Sequence, residues 1–458
     1  MTRAPRRSMR TVVAVLVIAC ALLSLPAPAT AQTDDDRPEK RSSTESPTPT
    51  PTPTPTPDPT REAEYWLSGY GIDDAWQHSR GAGQTIAVID SGVAGGIDEL
   101  EGAVAGGTDV SGVGSADGRT PLGADVHTRS HGTWVASLAA ARGTGEEEGM
   151  IGVAPEASIL SVSLGFGSVS DVPFSEQVAD AIRWSVDNGA DVINLSFTTN
   201  QTAWDENWDE AFMYAFEHDV VVVVAAGNRA SGTNMIGAPA TMPGVLVVGG
   251  VDPSGQTSQG ASTQGATIGV SAPSEQLIGI GPTGEIDSWR GTSGAAPIVA
   301  GVAALVGAAH PDLDANNIIN RIVQTATPAP AQNGERDPIY GFGIIDAARA
   351  VAAPGIAPVD ENPMGSLEEW IRLNRGASDP GSVDPTATPT PEAIELPALP
   401  PPDPPAAAAN PFLPSPDSLR EVTLPLIAVT AAGILVVLGV VAVSRRIRSA
   451  RSHRDSGS

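Results

Sequence analysis

Four short stretches of this chain carry polar side chains whose chemistries complement one another. Asp90 closes the apolar run 85–89 and precedes Ser91-Gly92, and His131 begins His131-Gly132-Thr133. Asn228 ends the run 220–227, and Ser293 lies within Gly291-Thr292-Ser293-Gly294-Ala295-Ala296-Pro297. A serine hydroxyl is a poor nucleophile until a base takes its proton, and neutral imidazole can do so near pH 7. The imidazole needs its other nitrogen held and its cation stabilised, which a buried carboxylate does. A tetrahedral oxyanion needs donors, and the Asn228 carboxamide with the Ser293 backbone N–H would supply two. Taken singly, each residue has a bland reading. Serine is a favoured helix cap, and a lone histidine is more often a satisfied surface or core residue, the class in which His78, His218 and His310 stay. Four such residues with matching roles are a different matter, provided the fold brings their loops to one edge.

The elements needed to do that are legible. Apolar β-type runs at 85–89, 159–164, 192–195, 220–224 and 245–251 are continuous rather than alternating, and most are separated by helix-type segments. The cleanest helix covers 175–188, with Val178, Ala181, Ile182 and Val186 on one face and Gly189 as its stop. Continuous apolar strands joined by helices indicate an α/β fold: a doubly wound, mostly parallel sheet with helices on both faces. Active sites in such sheets gather at the carboxyl ends of the strands. Asp90 and Asn228 stand at such ends. The Ser293 stretch reads as a tight glycine turn opening a small, apolar helix that runs through 298–309, where orphan N–H groups and the helix dipole favour a developing anion. His131 is expected to open a small-residue helix packed on the sheet.

Other chemistries fit less well. His127 and His131 are four apart, but no glutamate stands among Thr128-Arg129-Ser130, so the metalloprotease pattern fails. The nucleophile-elbow pattern Gly-x-Ser-x-Gly fails because Ala295 occupies its last position. A formal net charge of −27 argues against nucleic acid as a partner, since phosphate binding needs basic surface.

The 458 residues divide by composition. Residues 1–31 have the layout of a secretory signal: Arg3, Arg6, Arg7 and Arg10, then an apolar run, then Ala29-Thr30-Ala31. Val17-Ile18-Ala19-Cys20 is similar to a lipobox, but apolar residues continue past it, so an ordinary signal is expected. Cys20 is the only cysteine, and its removal would leave an exported protein without disulfides, dependent on a large core. Residues 32–60 form a Thr/Pro-rich linker, 61–354 the catalytic body, and 355–422 a Pro/Ala-rich stalk. Within that stalk, Ser366-Leu367-Glu368-Glu369 is a capping box ahead of Trp370 and Ile371, marking a short docking helix. Residues 423–443 are apolar for about the 20 residues a bilayer needs, and the basic tail 444–458 follows. Positive flanks stay in the cytoplasm, so a single-pass type I protein of the cell membrane is expected, its body extracellular.

Asp90-Ser91-Gly92, His131-Gly132-Thr133, Ala226-Gly227-Asn228 and the Gly291–Pro297 stretch resemble the signature segments of subtilisin-type serine proteases. So do Gly152-Val153-Ala154-Pro155 and residues 191–196, and the order Asp, His, Ser is subtilisin's. The resemblance implies a serine endopeptidase acting on protein or peptide substrates: Asp90 as orienter, His131 as general base and acid, Ser293 as nucleophile and Asn228 as oxyanion donor. It also implies that Leu195, Ser196, Phe197 and the loop 167–172 flank an extended peptide, with Gly227 bordering the first specificity pocket. Phe197-Thr198 is bulkier than the Leu-Gly of many subtilisins, which implies a restricted pocket. This chemistry requires no cofactor or metal, and structural calcium leaves no legible pattern. The linker is too short and Pro-rich for a folding prodomain. The plan of signal, Pro-rich flanks, external protease and basic-flanked anchor is similar to that of the mycosins, which implies a type VII secretion complex as partner. A non-enzymatic surface scaffold or assembly partner on the same fold is the alternative.

Overall fold

A computed structural model describes residues 58–375, apart from 167–169, 234, 331 and 333. The signal 1–31, the membrane segment 423–443 and the tail 444–458 lie outside the described residues. In chain order the elements are α1 (Pro59–Ala63), α2 (Trp66–Gly69), α3 (Ile72–Ala75), β1 (Thr85–Asp90), β2 (Val104–Asp109), α4 (Val126–Ala140) and β3 (Ser158–Ser163). Then come α5 (Phe174–Asp187), β4 (Val192–Leu195), α6 (Glu206–Glu217), β5 (Val221–Ala225), β6 (Leu246–Val251) and β7 (Ile268–Pro273). The hairpin β8 (Leu277–Ile280) and β9 (Ile286–Trp289) leads into α7 (Thr292–Ala309), followed by α8 (Ala315–Thr325), α9 (Ala347–Ala352) and α10 (Leu367–Asn374).

Seven strands form one parallel sheet in the order β2-β3-β1-β4-β5-β6-β7. This is the doubly wound architecture the apolar runs imply. The strand order reverses between β1 and β4, so their carboxyl ends flank the switch point where such sheets bind ligands. Alternation along β1 explains why its run is continuously apolar. Ile86 and Val88 enter the core beneath α4 and α7, whereas Ala87 and Ile89 enter the core beneath α5 and α6. β2, β7 and the hairpin are not marked by such runs; β2 (Val104–Asp109) holds two glycines and no fully buried residue.

α7 is apolar and long enough to cross a bilayer by composition alone. It is instead the central core helix, buried from Thr292 to Gly307. Its small residues allow that: a Cβ on Gly301 would lie 2.6 Å from the Val153 side chain.

Both proposed boundaries of the body move outward. The linker ends before Asp58, because Asp58 caps α1 and also accepts from Gly149 N–H at 2.7 Å. Arg61 Nε donates to Gly149 C=O at 2.6 Å, and Glu64 Oε1 accepts from Ile151 N–H at 3.0 Å. At the other end the chain past Gly355 is bound to the body rather than free: Asn317 pairs with Val359, Asn320 with Ala357 and Asn362 with Gly244. The capping box forms, with Ser366 Oγ accepting from Glu369 N–H, and α10 packs on the segment leading into α6 through Trp370 and Trp204, whose rings lie 4.3 Å apart.

Glu64 is 2% exposed, and burial pushes its carboxyl up to about 8, offset only in part by the Ile151 hydrogen bond and the Arg61 charge. Between the ordinary carboxylate range and that value the folded state holds a proton the unfolded chain lacks, so stability falls as pH rises through this window. Glu64→Gln keeps the acceptor and removes the charge. Its melting temperature should match the native protein's near pH 5 and exceed it by several degrees at pH 9, measured by differential scanning calorimetry. Parallel curves would show that Glu64 does not titrate there.

Candidate active site

Asp90, fully buried, is the last residue of β1, and its carboxylate meets the ring of His131 with Nδ1 2.9 Å from each oxygen. A carboxylate only accepts, so Nδ1 carries the proton and the neutral ring leaves Nε2 unprotonated. His131 lies in the second turn of α4 rather than at its start, because the helix begins at Val126 under an Asp125 cap. Two hydroxyls fasten that turn to the loop after β1. Ser91 Oγ accepts from Gly132 N–H at 3.0 Å, and Thr133 Oγ1 accepts from Ala94 N–H at 3.0 Å. The approach is close enough to need glycine, since a Cβ on Gly132 would fall 2.4 Å from Gly92 C=O. Burial pulls the His131 imidazole down, but the Asp90 charge and hydrogen bond outweigh it and hold the ring above its ordinary value.

Ser293 is the second residue of α7 and is 9% exposed. Pro297 stands one turn later, and its missing N–H leaves the Ser293 carbonyl without an intrahelical donor. Ser196, just past β4, supplies one: its Oγ donates to Ser293 C=O at 2.8 Å. Asn228 is locked by the residue before the serine. Its Oδ1 accepts from Thr292 N–H at 2.8 Å and from Thr292 Oγ1 at 3.0 Å, while Thr292 Oγ1 accepts from Gly227 N–H at 3.0 Å. With Oδ1 occupied by two donors the amide orientation is settled, and Nδ2 faces the turn at Gly291. That turn needs glycine twice over: φ is +146°, and a Cβ would sit 2.9 Å from Asn228 Nδ2.

The two halves share a wall. Trp289, at the end of β9, meets the His131 ring edge-on at 5.7 Å and packs on Trp134 at 5.2 Å. A Cβ on Gly294 would collide with Leu277 at 2.3 Å and touch Leu138 and Trp289, so the start of α7 abuts the helix that carries His131. His127 packs against Trp134, ring centroids 4.9 Å apart. Among the described residues no group of three or more His, Cys, Asp or Glu is placed to hold a metal ion.

The residues expected to line the peptide path divide. The Leu195 side chain is fully buried in the α5–α6 core, as strand alternation requires, so only its backbone is left to face a substrate. Ser196 is 2% exposed and its hydroxyl is committed to Ser293. Phe197 joins a cluster with Phe166 at 5.8 Å and Phe174 at 5.4 Å. The crowding at Gly227 comes from Thr198 and Thr233, whose methyls lie 2.7 and 2.6 Å from where its Cβ would be. Of the loop 167–172, residues 167–169 lie outside the described residues.

A profile of the subtilase family, peptidase S8, matches residues 81–343. The chain belongs to the subtilase family. It is a subtilisin-like serine endopeptidase. Mycosin-4 of Mycobacterium tuberculosis is 34% identical over 329 residues, covering 62% of this subtilase and 68% of that protein. Subtilisin DY of Bacillus licheniformis is 34% identical over 282 residues, covering 60% and 93%. Among solved structures, the MycP3 protease from the type VII (ESX-3) secretion system aligns with TM-score 0.54 and 31% identity, covering 63% of this chain and 88% of that one. MycP1 from Mycobacterium smegmatis aligns with TM-score 0.55 and 27% identity, covering 70% and 90%.

Sequence reasoning assigned no role in this subtilase to Ser91, Thr133 or Thr292, which position the functional groups. The available signal was a hydroxyl residue beside each polar one: Ser91 after Asp90, Thr133 two past His131, Thr292 before Ser293.

Proposed function

We propose that this chain is a membrane-anchored, extracellular serine endopeptidase in which Ser293 attacks the peptide carbonyl with His131 as base and Asp90 as its orienting carboxylate. The observation that carries this reading is the buried Asp90–His131 pair at 2.9 Å, which leaves Nε2 free to accept a proton. As the Ser293 oxygen bonds to the carbonyl carbon, its proton passes to His131 Nε2 and the π electrons move onto the carbonyl oxygen. Asn228 Nδ2 and the Ser293 N–H, at the positive end of α7, stabilise that oxyanion. The imidazolium then gives its proton to the leaving amine, and water repeats the sequence on the acyl-enzyme. Incubating the full-length protein with a fluorophosphonate should place one adduct on Ser293. An exported, folded protein that takes no label would instead favour the scaffold reading.

Asn228→Ala should lower kcat by about 10²–10³, with KM nearly unchanged, as loss of the equivalent asparagine does in subtilisin. Steady-state hydrolysis of a chromogenic peptide reads both constants. An unchanged kcat would remove Asn228 from the oxyanion site.

The anchoring part of the reading rests on residues 423–443 and the basic tail that follows, and the export part on the signal-like 1–31. A secretion-complex partner is supported by the likeness to mycosins and by the MycP3 protease described as part of a type VII system.

A further inference from the structure

His127 has no part in the proton relay, yet it stands four residues before His131, one turn away on the same face of α4. The two ring centroids lie 6.3 Å apart, with the planes inclined by 35°. His127 is exposed, and its ring meets the Trp134 indole edge-on. Among the described residues neither of its ring nitrogens has a hydrogen-bond partner. His131 is already prepared to serve as a metal ligand. Its Nδ1–H is held by the Asp90 carboxylate, 2.9 Å from each oxygen, so Nε2 presents its lone pair. A carboxylate on the far nitrogen is the partner that fixes the tautomer of a metal-bound imidazole and raises its basicity.

Two histidines four apart on one helix face can share a zinc ion. With metal–nitrogen bonds of about 2.1 Å, two imidazoles on one ion place their centroids about 5–6.5 Å apart. The observed separation falls within that range at a wide angle, and rotation of the exposed His127 ring narrows it. Charge favours a cation here as well. The Asp125 and Asp287 carboxylates both act on the His127 ring, and Asp287 is positioned by accepting from Trp134 Nε1 at 3.0 Å. Among the described residues no third His, Cys, Asp or Glu joins the pair, so water fills the other coordination positions. Imidazole ligands suit zinc and copper, whereas magnesium and calcium require oxygen. We propose that His127 and His131 form a reversible site for a divalent transition-metal ion, Zn²⁺ or Cu²⁺, that switches the protease off. The bound ion takes the Nε2 lone pair that would accept the Ser293 proton, so the hydroxyl stays unactivated. This rests on the proteolytic reading above.

Hydrolysis of a chromogenic peptide by the full-length protein should fall as ZnCl₂ is added, with half-inhibition in the micromolar range, and return on chelation with EDTA. CuCl₂ should act at lower concentration, following the order of divalent affinities, and MgCl₂ should not act at all. His127→Ala should keep its metal-free kcat/KM yet need at least about tenfold more Zn²⁺, since even loss of an outer partner costs about 10–100-fold in affinity. His127→Gln, closer in size, repeats the measurement should the alanine variant fold poorly. An unchanged Zn²⁺ requirement in both variants, or no inhibition by millimolar Zn²⁺, would overturn the site. Calorimetric titration of full-length Ser293→Ala protein with ZnCl₂ reads binding without turnover, and it should show a site that His127→Ala weakens by the same factor. A native protein that binds Zn²⁺ through His127 in this way but cleaves no peptide would count against the proteolytic reading alone.

Discussion

Ser293→Ala should lower peptide hydrolysis by about 10⁶-fold while leaving the fold intact. The size follows from a nucleophile and base that act as one unit: without the hydroxyl, the Asp90–His131 pair has nothing to activate, and only oxyanion stabilisation and binding remain. Folding is spared because the change removes one oxygen from a helix whose contacts are made by neighbours. The bond from Ser196 goes to the Ser293 backbone carbonyl, and the Asn228 clamp is held by Thr292. Hydrolysis of casein and of a peptide library, followed beside circular dichroism, measures both. A folded Ser293→Ala protein with undiminished hydrolysis would end the assignment.

Asp90→Asn should cost about 10⁴-fold in kcat, because the carboxamide can present N–H to His131 Nδ1 and so favour the tautomer protonated at Nε2. It should also move the pH profile. In the native enzyme, burial lowers the His131 ring while Asp90 raises it further than burial lowers it. Activity in kcat/KM should therefore rise with pH through an apparent pKa above that of ordinary histidine. Removing the carboxylate charge leaves burial unopposed, so the residual activity of Asp90→Asn should rise through a lower pKa. A profile that keeps the native midpoint, recorded from pH 5 to 9, would show that Asp90 does not set the base.

Much of this arrangement is legible in the chain because the parallel sheet imposes simple rules. A strand buried on both faces is apolar throughout, so β1, β3, β4, β5 and β6 stand out, and the polar residue ending such a run marks the carboxyl edge. That reasoning picks out Asp90 and Asn228. It fails for β2, partly buried and with two glycines, and for the short hairpin, whose Trp289 forms part of the wall beside His131. It also misjudges side-chain direction past β4. Leu195, Ser196 and Phe197 are adjacent, yet one enters the core, one caps a carbonyl and one joins a phenylalanine cluster.

By itself the amino-acid sequence determined the architecture and the family, and it singled out the four groups proposed to react. Each of these depends on local pattern: apolar runs, glycine turns, and polar residues at fixed offsets from them. Tertiary structure alone decided how those groups are held. The Asp90–His131 contact joins residues 41 apart, Asn228 is locked by a hydroxyl 64 residues away, and Ser196 reaches across 97 residues to the carbonyl that Pro297 orphans. It also tied Asp58 and Arg375 to the body, through hydrogen bonds and ion pairs with distant loops and helices. Hydrogen-bond satisfaction is a property of which groups meet in space, and the spacing of residues along the chain does not encode it.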